Sequence, residues 1–538
     1  MPISSQQPLL VIGLDGLEIS FAEKLMAAGK MPALSALRDL STSFYLDHGP
    51  AQRTGLAWEH VASGLSPSAA KRWSVIEFSP ETYTVRQEGS HFVPCFEQLD
   101  ATIAVFDPPY FDLAKSQKLE GIVGWGAHDP GIPLQGSTDS LLEAFIQRFG
   151  HYPSPQWIYE FPCYSAEKCA QMGRALVNAI EVRQQAALWL LSENFSHHDV
   201  FYVVTGELHS GIEALWHGVD PHHPLHNSAS AKAAEKALIE IHEAVDRMIA
   251  ALVEAAPQRD VVAFAMGGMG ANHSDLQSMF LLPELLYRHA FNRPFLEIPK
   301  AWSQHPEEIP AFSEAKSWHH PYAWLKPSNP LHHWRATLNR KTARALQKYL
   351  PHLGKGFAAD LYWQPSTYYQ PWWPQMPAFA LPSFYDGRIR INLAGREHHG
   401  IVPLANYSQV CQQLEALLRE CRDPRTGESV VADVERPEIA DPTQLHNSDA
   451  DMVIIWQGMS TAFEHPTHGV VGPVPYRRTG GHTGPYGVAF IAGARIPVGA
   501  QGIRSSFDVV PTIAELLGQS LDQSFSGTSL LNSCTVSQ

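Results

Sequence analysis

Short apolar runs rich in Val, Ile and Phe alternate along this chain with long stretches in which apolar residues recur every three or four positions, and that alternation restricts the fold more than any other feature. The clearest strand patterns cover 9–14, 102–106, 200–205, 261–266, 452–456 and 487–492, and the clearest helical ones 166–193 and 228–254. Strands alternating with helices predict an α/β fold: a doubly wound, mostly parallel sheet with helices on both faces. In such sheets a ligand lies beyond the carboxyl ends of the strands, so the residues just after each strand carry the most information.

At 538 residues the chain is long enough for two or three domains, or for one large core with an insertion. Apolar residues make up 44 % and charged residues 17 %, with no long run of like charge, which excludes disorder. A net charge of −15 and the lack of a basic cluster argue against nucleic acid or an anionic membrane as partner. The first apolar run is broken at once by Asp15, so it reads as a strand and not as a signal peptide, and nothing approaches the ~20 apolar residues of a membrane helix. The six cysteines lie far apart without CxxC spacing, as expected of reduced thiols in a cytoplasmic protein.

The segment 292–383 breaks the rhythm. It is rich in Pro, His and aromatics and holds seven of the 14 tryptophans, and only 331–350 looks helical. We read it as an insertion or cap on a core formed by 1–291 and 384–538. Its aromatics either line a substrate cleft or simply pack the insertion.

Two positions after the early strands can carry chemistry. Asp15, followed by Gly16, either caps a turn or turns a carboxylate toward the ligand crevice. Thr54 precedes a predicted helix over 55–64, where its hydroxyl either satisfies a free amide or lies where a helix N-terminus stabilises an anion; Arg53 is beside it.

Asp15, and Thr54 nine residues before Ser63-Gly64, resemble the type I phosphodiesterase/nucleotide pyrophosphatase branch of the alkaline phosphatase superfamily. The likeness continues in Phe384-Tyr385-Asp386-Gly387-Arg388, in Gly480-Gly481-His482 and in Asp508-Val509-Val510-Pro511-Thr512. It implies two divalent metals, usually zinc and roughly 3.5–4 Å apart, a Thr or Ser nucleophile and a covalent phosphoryl-enzyme. Its ligands are an Asp after the first strand, the nucleophile, an Asp-x-x-x-His, an Asp-His pair and a late His.

This chain departs from that pattern twice. The resemblance aligns Trp216-His217 and Asp220-Pro221, and in that register His209 stands at the Asp position and Glu213 at the His position; both can still bind zinc, and Glu207 is a reserve ligand. At the Asp-His pair stand Met266 and Gly267, which cannot hold a divalent ion. His209, Glu213 and His482 would then form a three-ligand site with an open position, while Asp15 and Thr54 are too few ligands for a second tight one. Asn272, His273 and Asp275 are candidate recruits.

The resemblance therefore implies a metal-dependent hydrolase, or a related transferase, acting on a phosphoester of phosphodiester or nucleotide-like type. Thr54 would be its nucleophile, about one tightly bound zinc per chain its cofactor, with a second weak ion conceivable, and a small anionic molecule its substrate. The alternative is a repurposed member with non-hydrolytic chemistry or a binding protein without turnover. A homo-oligomer is compatible with either.

Overall fold

The computed structural model describes residues 7–89, 91–127, 132–158, 165–311, 318, 326–327, 361, 364–437, 439–519 and 525–533. The chain divides into two compact units, one comprising Met1–Lys71, Gly89–Ala271 and His482–Gln538, the other Arg72–Glu88 and Asn272–Gly481.

The first unit is built on a nine-stranded sheet. Its spatial order is Gly499–Ser505, Thr42–Asp47, Gly487–Ala492, Asp260–Ala265, Leu9–Leu14, Val200–Thr205, Ile103–Phe106, Glu120–Val123 and Gln135–Gly136. The inner strands Asp260–Ala265, Leu9–Leu14, Val200–Thr205, Ile103–Phe106 and Glu120–Val123 run parallel, whereas Gly487–Ala492 and Gln135–Gly136 pair antiparallel. The sheet is thus mostly parallel and doubly wound, as the alternating pattern predicts.

Side chains alternate along a strand, so each strand feeds two cores. On one face Leu10, Ile12, Leu14, Phe201, Val203 and Ala263 join a cluster with the long helices Ala166–Trp189 and Ala231–Ala255. On the other face Tyr202 stacks on Phe96 with ring centroids 5.8 Å apart, and Phe264 meets Trp58 of the helix Ala57–Ser63 at 5.7 Å. Strands buried on both faces read as continuous apolar runs, which is why they were easy to recognise in the sequence.

In the second unit Ala378–Leu381, Gly387–Ile391, Met452–Trp456 and Val431–Glu435 form an antiparallel sheet in that order. The strand expected over 452–456 belongs here and not to the large sheet. Arg390 pairs with Glu397 and Arg396 with Asp451 in its interior, each charge met by an opposite one. Trp373 is fully buried and stacks on Phe379, and the indole N–H of Trp318 donates to the carbonyls of Pro475 and Tyr476. These two tryptophans of 292–383 therefore pack. Trp302 and Trp372 are half-buried, while Trp324, Trp334, Trp363 and the helix expected over 331–350 lie outside the described residues.

Among the described residues no helix is long and apolar enough to cross a membrane. Cys95, Cys169, Cys411 and Cys421 are free and buried; Cys163 and Cys534 lie outside the described residues.

Candidate functional site

Three adjacent parallel strands of the first unit end together. Leu14 is in register with Thr205, and Gly13 with Phe264, so Asp15, the Gly206–Glu207 turn and Met266–Gly267 emerge at one edge. That edge is where a doubly wound sheet receives a ligand. Asp15 is fixed by its backbone: its N–H donates to Thr205 O at 3.0 Å, and its own carbonyl accepts from the N–H of His209 at 3.2 Å. Gly16 has φ +80°, and a Cβ there would stand 2.4 Å from the His209 Cα. Only glycine lets the turn approach the helix Glu207–Leu215 this closely.

His209 is the hub of the side-chain cluster. Its Nδ1 faces Asp15 Oδ2 at 3.7 Å, while its Nε2 lies 3.3 Å from Glu213 Oε1 and 2.8 Å from His482 Nε2. The spacing of four residues places His209 and Glu213 on one helix face, as expected. Asp15, His209 and Glu213 are buried and His482 half-buried. Burial, aided by the neighbouring carboxylates of Glu213 and Glu207, pushes the Asp15 carboxyl up to about 7, against a lowering hydrogen bond from Trp58.

The donor set suits a zinc-type ion: two imidazoles and a carboxylate, with Glu213 and His482 both brought to one nitrogen of His209. A cation there would also offset the carboxylate repulsion that raises Asp15. Asp15 Oδ2 lies 3.7 Å from Nδ1 on the opposite edge of the imidazole, beyond direct hydrogen-bond reach. Among the described residues, the group whose three donor atoms all lie within 4.8 Å of one another is the exposed His305, Glu307 and Glu308. The buried cluster instead converges pairwise on His209.

Two local expectations need correction. Thr54 does not cap a helix over 55–64: it closes the 3₁₀ turn Gly49–Thr54, Gly55 turns left-handed at φ 74°, and the helix is Ala57–Ser63. Its buried hydroxyl donates to Ala51 O at 2.7 Å and accepts from Leu56 N–H at 3.2 Å. Glu207 is not in reserve, because Arg183 Nε meets both its oxygens at 2.9 and 3.1 Å and Thr205 donates to it at 2.6 Å. Arg183 also pairs with Asp107 at 2.8 Å, with both side chains fully buried. Of the candidate recruits, Asn272 caps the turn to Ser274 and Asp275, and Asp275 pairs with Arg477 through one carboxylate oxygen. His273 is pushed down by burial.

Two contributors escaped the sequence reading. Trp58 bonds Asp15, and the Gln52 amide donates to the carbonyls of Gly268, His482 and Gly484. Both flank Thr54 in sequence, but neither residue type signals metal or nucleophile chemistry.

A doubly wound α/β sheet with a histidine–carboxylate cluster beyond its central strands defines the structural class. No family model matches the chain, and no curated protein matches it in sequence. Among solved structures it is similar to phosphonoacetate hydrolase from Sinorhizobium meliloti 1021 in complex with phosphonoformate, at 12 % identity and a TM-score of 0.47, with 94 % of each chain covered. It is also similar to human ectonucleotide pyrophosphatase/phosphodiesterase 5, at 8 % identity and a TM-score of 0.48, with 97 % of each chain covered. Likeness at this level carries neither a substrate nor a site residue across.

Proposed function

We propose that this protein is a metal-dependent hydrolase, or a related transferase, acting on a small phosphoester of phosphodiester or nucleotide-like type. The observation that carries the reading is the convergence of Glu213 and His482 on Nε2 of His209. These three side chains would hold one zinc-type ion, and Asp15 would orient His209 from its other edge. A bound divalent ion supplies charge stabilisation to a phosphoryl oxygen.

Thr54 supplies the nucleophile. Its Oγ forms a bond to phosphorus as the bond to the ester oxygen breaks, and that oxygen leaves with the bonding pair and takes up the hydroxyl proton through solvent. Water then cleaves the phosphoryl-threonine, releasing phosphate monoester and restoring the hydroxyl. The Leu56 N–H, already donating to Oγ at 3.2 Å, favours the ionised oxygen. Residues 292–383 are proposed as an insertion in the core.

One observation favours a second reading, binding without turnover: the Thr54 hydroxyl proton is already committed to Ala51 O. Zinc analysis with turnover of an aryl phosphodiester, in the native protein and Thr54→Ala, separates them. One bound ion and turnover that needs Thr54 support the hydrolase; one ion without turnover supports the binding protein; no bound ion defeats the metal reading.

A further inference from the structure

We infer that Gln52 has taken over the place and the bracing work of the second cation whose ligand positions are Met266 and Gly267. The inference rests on the metal reading above for its register, but its structural core stands apart from it. Gly267 is not a glycine its backbone requires, since its φ lies outside the left-handed range, and the three atoms nearest a Cβ built there all belong to the Gln52 side chain, at 3.5 to 3.7 Å. A methyl group fits at that distance. An imidazole in a rotamer turned toward Gln52 would meet the carboxamide.

The carboxamide is not idle in that space. Its Nε2 stands 3.0 Å from Gly484 O, 3.1 Å from His482 O and 3.3 Å from Gly268 O. Three carbonyls aimed at one nitrogen that carries two hydrogens form a cradle for positive partial charge, as they would for a cation. Gln52 also lies in the 3₁₀ turn that ends at Thr54. One side chain therefore ties the turn of the nucleophile to the backbone of His482 and to the strand after Gly267, which is the work a second shared ion would do. Gln52 is on this view a positioning residue, and the site is built for one ion.

The experiment is a zinc titration of the native protein, of Met266→Asp with Gly267→His, and of that pair combined with Gln52→Ala, alongside a thermal-unfolding cycle on Gln52→Ala and Gly267→His, with Gly267→Ala as its control, in metal-free buffer. One ion in the native protein and in the double variant, and two in the triple, is the expected result. Two ions in the double variant, or one in a folded triple, would overturn the inference. If the triple variant does not fold, the cycle decides: Gly267→Ala should leave the melting temperature near native, Gly267→His should lower it by several degrees, and adding Gln52→Ala should recover part of that loss. Additive losses overturn the inference. A native protein that binds no zinc defeats the metal reading and leaves the cycle still informative.

Discussion

Nε2 of His209 stands 2.8 Å from Nε2 of His482, although 273 residues separate them in the chain. Two imidazoles that close share a proton or a cation, and Glu213 Oε1 at 3.3 Å adds the carboxylate of a zinc-type donor set. His209→Ala and His482→Ala should each weaken zinc binding by more than the roughly 10–100-fold that loss of an outer partner costs, whereas Asp15→Asn should fall inside that range. Competition against a chromophoric chelator measures all three. Unchanged affinity in His482→Ala would remove that residue from the site.

Thr54→Ala should lower phosphodiester turnover by on the order of 10³-fold or more, as removal of a nucleophile does. Zinc affinity should be unchanged. The lost hydrogen bonds to Ala51 and Leu56 should cost about 1–2 kcal/mol of stability, read by urea unfolding. Thr54→Ser, which keeps the hydroxyl, should retain part of the activity; equal loss in both variants would point to a packing role for the methyl group.

The large sheet was legible because strands buried on both faces, such as Leu9–Leu14 and Val200–Thr205, leave short continuous apolar runs rich in β-branched residues and closed by glycine. His209 and Glu213 were singled out by the register of the family resemblance, and their spacing of four puts them on one face of the helix Glu207–Leu215. What could not be read was geometry that depends on a distant backbone. Thr54 looks like an N-cap in sequence, yet left-handed Gly55 ends the preceding turn and restarts the helix two residues later. Glu207 looks like a spare ligand until Arg183, from a helix 24 residues earlier, is seen to occupy both its oxygens. Gln52 gives no signal, because a glutamine amide finding three carbonyls is a tertiary event.

Arg183 offers a sharp test of that buried network. It is fully buried between Glu207 and Asp107, and its guanidinium lies over the rings of Phe106, Trp125 and Tyr152. Arg183→Met keeps much of the volume and strands two buried carboxylates, so unfolding free energy should fall by about 3–5 kcal/mol. A loss below about 1 kcal/mol would mean that the carboxylates are protonated or reach water without it.

His242 sets a pH dependence of known sign. On the helix Ala231–Ala255 its Nδ1 lies 2.8 Å from Leu238 O, a carbonyl that can only accept, so Nδ1 carries the proton of the neutral ring. Among the described residues Nε2 is buried with no hydrogen-bond partner, and burial pushes the ring down from 6.5 to about 4. In the unfolded chain the same ring takes up a proton near 6.5. Between those values the unfolded state binds more protons than the folded one, so the contribution is fully present above about 6.5 and is lost as pH falls toward 4. Across that window the loss amounts to at most about 3 kcal/mol for this one residue. Urea unfolding at pH 7 and pH 5 should show the native protein weakening more steeply than His242→Leu. Parallel slopes in the two proteins would show that the ring is protonated in the folded state, through water that reaches Nε2.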